Sequence, residues 1–262
     1  MTAMTVFRYE LQDLRRSRWV MGYTLCLLLL TEALLRFGGG GPRAVLSLMN
    51  VVLGVVPLVG IVFGTMYLYG SRSFIQLLLA QPVGRGELFA GLYAGLALPL
   101  AAGFLLGVGL PFVWDGGGEG ALAGPLAMLL GAGTLLTLVF TALAMLVSLR
   151  VNDRAKGLGL AILLWLVATA LYDALIVLVA TTFSDYPLEL PLIGLIILNP
   201  IDLARVAMLL QLDTAALMGY TGAVFERFFG SAVGVWLSAG ALILWWAGPL
   251  VAAHRRFCRN DF

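Results

Sequence analysis

SRSFIQLLLAQPVGRGELFAG, residues 71–91, sits between two long apolar stretches and resembles neither. Leu77, Leu78 and Leu79 run together, and then Pro82, Gly84 and Gly86 break the pattern around Arg85 and Glu87. The run is too short to cross a bilayer, which takes roughly 20 apolar residues. It is also too apolar to be a solvated connector. The spacing predicts a short helix with a greasy face that something covers, and it marks the stretches on either side as separate membrane spans.

Composition leads to the same place. The chain has 262 residues, 61% of them hydrophobic and 11% charged, with a mean hydropathy of +1.00. A soluble domain carries about a quarter charged residues, so this chain cannot clothe itself in a hydrated surface. The expected fold is an all-α membrane protein, one transmembrane domain over 1–262, with six helices at about 19–36, 47–69, 88–113, 123–149, 157–180 and 231–252. Pro57 and Pro99 are expected to bend the second and third. Ahead of the first, VFRYELQDLRRSRW places Phe7, Leu11 and Leu14 at i, i+4 and i+7. That spacing predicts an amphipathic helix over residues 1–18, lying in the interface plane. The first apolar stretch is longer than a signal-peptide core and lacks an A-x-A site, so it reads as a retained anchor.

Residues 181–230 depart from the spanning pattern. Pro187, Pro191 and Pro200 interrupt them, and LIGLIILN (192–199) is short enough to be re-entrant or interfacial. Asn199 is a candidate N-cap ahead of Pro200 at the first helical position, with Asp202 and Arg205 following.

Charge sets the expected orientation. If sides alternate from span to span, one side collects Arg8, Arg15, Arg16, Arg18, Arg72, Arg85, Arg150, Arg154, Lys156, Arg255, Arg256 and Arg259, twelve in all. The other side collects only Arg36, Arg43, Arg205 and Arg227. The positive-inside rule then places both termini, the 71–88 loop and the 150–156 loop in the cytoplasm, and 181–230 outside the inner membrane.

Several chemistries lack their residues. The only lysine, Lys156, follows Ala155 and precedes Gly157, so no phosphate-binding P-loop exists in the chain. The only histidine is His254, beside a basic tail, which rules out a two-histidine metalloprotease motif and a multi-histidine haem site. Cys26 and Cys258 are too far apart in sequence and setting to suggest a disulfide or a thiolate metal site. No catalytic residue, bound cofactor, metal site or nucleic-acid surface is expected. Met208 and Met218 carry thioethers that suit Cu(I), but their apolar neighbours make them core residues. Asp202 and Asp213 read as helix-end or solvent residues. Glu32 is expected to pair with Arg36. Asp173, deep in the fifth span, has two readings: the lining of a pathway, or a packing hydrogen bond to Thr169 or Tyr172.

LLLAQPVGRGELFAG resembles the first cytoplasmic loop of ABC-2-type permeases, which reads roughly L-L-x-x-P-V-x-R-x-x-L-x-x-G. Leu78, Leu79, Pro82, Val83, Arg85, Leu88 and Gly91 match it. Just upstream, where the family usually has an acidic residue and a glycine, this chain has Gly70 and Arg72. LNPIDLARV and the tail RRFCRNDF are similar to the family's outer helix start and closing segment. LMGYTGAVF (217–225) is similar to the outer segment of permeases from nitrous-oxide-reductase maturation systems. The resemblance implies a second copy of this chain, two copies of a separate cytoplasmic ABC ATPase carrying ATP and Mg, and a periplasmic copper-maturation partner. It also implies a role in assembling the copper–sulfur site of nitrous oxide reductase.

Under that resemblance, Phe74, Gln76, Leu77, Leu78 and Leu79 would lie in a groove of the ATPase, with Arg85 and Glu87 at its rim and Asp153 and Arg154 making a smaller contact. Asn199, Asp202, Arg205, Met218, Tyr220 and Phe225 would form an outer partner contact or gate. The bland alternative for the loop is a helix resting on lipid headgroups. Other functions left open are an exporter permease for another substrate, an anchor for an outer partner, or a stand-alone secondary transporter. The last needs several intramembrane charges, and only Asp173 qualifies by sequence.

Overall fold

The helices follow from uninterrupted apolar runs closed by glycine, proline or arginine. A computed structural model of the chain describes residues 18–38, 41–80, 84–115, 122–183, 189–211 and 232–259. In chain order the helices are α1 (Arg18–Phe37), α2 (Gly41–Gly70), α3 (Arg72–Leu79), α4 (Arg85–Trp114) and α5 (Ala123–Arg150). Then come α6 (Arg154–Leu166), a π-helical turn (Val167–Leu171), α7 (Tyr172–Thr182), α8 (Glu189–Ile197), α9 (Pro200–Gln211) and α10 (Ala232–Arg259). No strand occurs among the described residues. The expected interfacial helix over 1–17, Pro82 and Val83, and residues 212–231 with Asp213, Met218, Tyr220 and Phe225 lie outside them.

Among the described residues, five runs are long and apolar enough to cross a membrane: α1, α2, α4, α5 and the run Arg154–Thr182 formed by α6, the π turn and α7. They match the first five expected spans to within a few residues, except that α2 begins earlier, at Gly41. Pro42 explains the early start, because a proline in the first turn leaves no intrahelical hydrogen bond missing. Pro57 and Pro99 lie inside helices that continue past them. α10, at 28 residues, occupies the sixth expected position. It carries Arg255, Arg256 and Arg259 at its end.

α8 and α9 break where LIGLIILN was expected to depart from a simple span. Pro191–Ile197 and Pro200–Leu209 meet at a 111° bend, which turns the chain back on itself. The tip lies level with the middles of two long helices. Asn199 donates to the carbonyl of Ala168, halfway along Arg154–Thr182, and the indole of Trp245, halfway along α10, donates to Ile197.

α5 is the hub, touching α2, α4, α6, α9 and α10. Lipid tails are as apolar as leucine, so helices in a bilayer associate by close packing rather than by hydrophobic exclusion, and small residues let backbones approach. Here the small residues are spaced by four. A Cβ on Gly60 or Gly64 of α2 would stand 3.3 Å from Phe140 or 2.8 Å from Ala144, both on α5. A Cβ on Gly107 of α4 would stand 2.8 Å from Leu27 of α1. Gly133 of α5 receives the ring of Phe104, itself fully buried in the main core with Val52, Leu136 and Phe140.

Gly133→Ala should therefore push into the Phe104 ring and cost about 1–3 kcal/mol. Gly131→Ala, where a Cβ meets nothing within 4 Å, should be neutral or slightly stabilising. Thermal unfolding of the two variants in detergent checks the contrast.

Candidate functional site

Two polar constellations stand out from this apolar frame. The first is at the arginine-rich end, where α2 passes into α3. α3 is eight residues long, and its two sides differ. Ile75 and Leu78 point inward at 3% and 4% exposure and pack with Leu68, Leu88, Phe89, Leu92 and Phe257. Phe74 and Leu77 point outward at 44% and 62%, with Ser73, Gln76 and Ala80 exposed beside them and Leu79 half-buried. The three leucines thus do not form one patch. Leu78, expected on the outer face, is turned into the chain's own core because it lies three residues after Ile75 on the same helical face.

Arg72 anchors the start of α3. Its guanidinium donates to the carbonyls of Asn152 (2.9 Å), Ser148 (3.0 Å) and Val151 (3.1 Å), at and just past the end of α5. It lies 4.6 Å over the ring of Tyr69, whose hydroxyl donates to the same Val151 carbonyl at 2.6 Å. Gly157, in the first turns of α6, makes this possible, since a Cβ there would collide with the Tyr69 phenol. Asp153 caps α6 by accepting from the Lys156 amide at 2.8 Å. From the other side, Arg256 of α10 donates to Leu149 at 3.1 Å. A helix leaves its last carbonyls unpaired and slightly negative, and two arginines satisfy them here.

Arg85 and Glu87 open α4. Arg85, expected at a rim facing outward, donates to the Cys258 carbonyl at 2.9 Å and so clasps the end of α10. Glu87 is exposed in the first turn, where a negative charge suits the helix N-terminus. His254 packs edge-on to Phe89 at 5.2 Å. Arg154 is exposed.

The second constellation sits at the tip of α8–α9. Asn199 is the N-cap expected: its Oδ1 accepts from the Ile201 amide at 3.1 Å. Its Nδ2 donates to the Ala168 carbonyl and to Asp202 Oδ2, both at 2.7 Å. Arg205 donates to Asp173 at 2.6 Å and to Asp202 at 3.0 Å, so a single guanidinium holds two carboxylates. Asp173 bonds neither Thr169 nor Tyr172 as expected. Thr169 donates to Trp165, and Tyr172 donates to Leu195. Asp202 is the helix-end residue expected, in the first turn of α9, and at 3% exposure it is paired rather than solvated. Asn199 is 2% exposed, so it and Asp202 both lie inside the helix bundle. Glu32 pairs with Arg36 at 2.5 Å, as expected.

The π turn explains why α6–α7 can reach this cluster. Winding Val167–Leu171 one residue wider per turn sets the Ala168 carbonyl toward Asn199. Nothing in the residue spacing announced the π turn or the Arg72–Tyr69 stack. The glycine pairs Gly60/Gly64 and Gly103/Gly107 were readable as small-xxx-small helix contacts. Among the described residues no group of three or more His, Cys, Asp or Glu could hold a metal.

Residues 4–262 match the family described as ABC-2 family transporter protein. The chain belongs to the ABC-2 transporter family. Two curated relatives align along almost their whole length. One, "Probable ABC transporter permease protein NosY" of Pseudomonas aeruginosa, is 32% identical and covers 98% of each chain. The other, of the same name from Stutzerimonas stutzeri, is 29% identical and covers 97% of each. An ABC-2 permease is a multi-pass membrane protein, which the apolar helices of this chain require independently.

Arg205→Ala should leave two carboxylates facing each other at mid-depth and cost about 3–5 kcal/mol. Asp173→Asn, which keeps an acceptor at the more open side of the cluster, should cost about 1 kcal/mol or less. Unfolding in lipid nanodiscs should rank the variants in that order.

Proposed function

We propose that this chain is the membrane-spanning, non-catalytic subunit of an ABC transporter, driven through α3 by a separate cytoplasmic ATPase. The observation that carries the reading is the division of α3 into two faces. Ile75 and Leu78 root the helix in the bundle, while Phe74 and Leu77 stand out from an end otherwise crowded with arginine. An exposed apolar pair on a rooted helix fits a hydrophobic groove. Gln76 lies beside it, and the exposed Asp153 and Arg154 sit close by at the start of α6. The arginine-rich end lies in the cytoplasm under this reading, in agreement with the positive-inside rule. The ATP and Mg belong to the ATPase, of which two copies serve two copies of this chain.

The named relatives direct the biological role. Similarity to NosY permeases over nearly the full length supports a place in assembling the copper–sulfur site of nitrous oxide reductase, with a copper-handling partner on the outer side. The chain would deliver movement or cargo across the inner membrane, and the reductase would gain its cluster on the far side.

Two experiments test this. Phe74→Asp with Leu77→Asp should leave the chain inserted but lower co-purification of the co-expressed ATPase about tenfold or more. Each buried Phe or Leu at such an interface contributes roughly 1.5–3 kcal/mol. Unchanged co-purification would sink the docking reading. Deleting the chain should leave nitrous oxide reductase synthesised but without its copper–sulfur absorbance, and a normal spectrum in the deletion strain would remove the maturation role.

A further inference from the structure

Docking explains how a partner could hold α3, but not how a push on eight residues would move a bundle. α3 is joined to α2 by Ser71 alone, and its continuation to α4 passes through a glycine- and proline-containing link. Its strongest polar attachment is elsewhere. All three carbonyl acceptors of Arg72 belong to the end of α5 and the turn into α6, and Tyr69 shares one of them.

We propose that Arg72 and Tyr69 make α3 and the α5–α6 turn a single moving body, so that force on α3 enters the bundle through α5. This rests on the reading of α3 as the ATPase contact. The guanidinium fork suits the task because its donors are fixed in one plane, and it meets several carbonyls at once without its own flexibility absorbing the motion. The tyrosine beneath it supplies a cation–π contact and blocks the guanidinium from swinging away. Gly157 brings α6 against the same phenol, so α6 is gripped with α5. Beyond the turn, α5 touches α9, and α9 carries Arg205, which holds Asp173 of α7 together with Asp202 of its own helix. A contiguous line of packed and hydrogen-bonded groups thus runs from α3 to the mid-depth cluster. Arg72 is a positioning residue in this scheme.

The test separates this transmission from docking and from simple stability. In a background of Cys26→Ser and Cys258→Ala, spin labels at Ser73→Cys and Lys156→Cys report the α3–α6 distance in the chain alone. The distribution should be narrow, should broaden clearly in Arg72→Ala, and should be partly restored in Arg72→Lys, which keeps the charge but not the fork. In the unlabelled complex, Arg72→Ala and Tyr69→Phe should retain the ATPase on purification. They should lower the permease-dependent stimulation of ATP hydrolysis about fivefold or more for Arg72→Ala, and less for Tyr69→Phe. An unchanged distance distribution in Arg72→Ala would overturn the proposal. So would unchanged stimulation, or a loss of thermal stability and ATPase retention together, which is what a merely structural cap produces. If the wild-type chain fails to retain the ATPase, the docking reading falls, while the distance measurement still decides whether Arg72 binds α3 to α6.

Discussion

A polar group inside a bilayer has no water to fall back on, and that constraint organises this molecule. Backbone amides and carbonyls are consumed within helices, so what remains to be satisfied is at helix ends and breaks. The chain meets this demand with side chains from neighbouring helices. Arg72 and Arg256 complete the end of α5, Arg85 completes the end of α10, and Trp165 donates to the Gly54 carbonyl in the middle of α2. At the tip of α8–α9, where two helices stop at mid-depth, Asn199 and Trp245 take over the same duty. Most of the polar contacts that hold helix to helix end on a backbone carbonyl, with the Arg205–Asp173 pair as an exception.

This economy concentrates on α5. A helix that touches most of the others, closes with glycine against Phe104 and ends in an arginine collar has little freedom to move independently of its neighbours. α6–α7 is the opposite case. It presents Leu163, Leu171, Val177 and Leu178 outward along its length. Its polar anchorage lies at the Asp153 end, at the Trp165 indole and at the mid-depth cluster. Between those points its contact with the rest of the chain is loose by comparison.

Much of the frame was legible in the sequence, because apolar length is the one signal that a bilayer demands. Five spans and the break at α8–α9 follow from runs and prolines, and the Asn199 cap from the asparagine–proline pair. The face of α3 was misjudged at Leu78, since three adjacent leucines point around a helix by 100° steps and only its neighbours decide which one turns inward. The role of Asp173 was out of reach for a different reason. Its partner Arg205 lies 32 residues away, beyond a segment with no spanning pattern. Arg72 was visible only as a departure from a family pattern, and its three carbonyl acceptors come from about 80 residues further along the chain.

The π turn at Val167–Leu171 has a consequence for how this helix tolerates change in length. Such a turn holds one residue more than α winding needs, while the helix on either side keeps its course. Taking one residue out within it would let the segment relax into ordinary winding and leave Asp173 facing Arg205. A deletion in regular α winding has no such surplus to draw on and would rotate everything beyond it by about 100°, the angle between successive residues in an α-helix. The π turn is thus the place on this helix where the loss of one residue disturbs the cluster least.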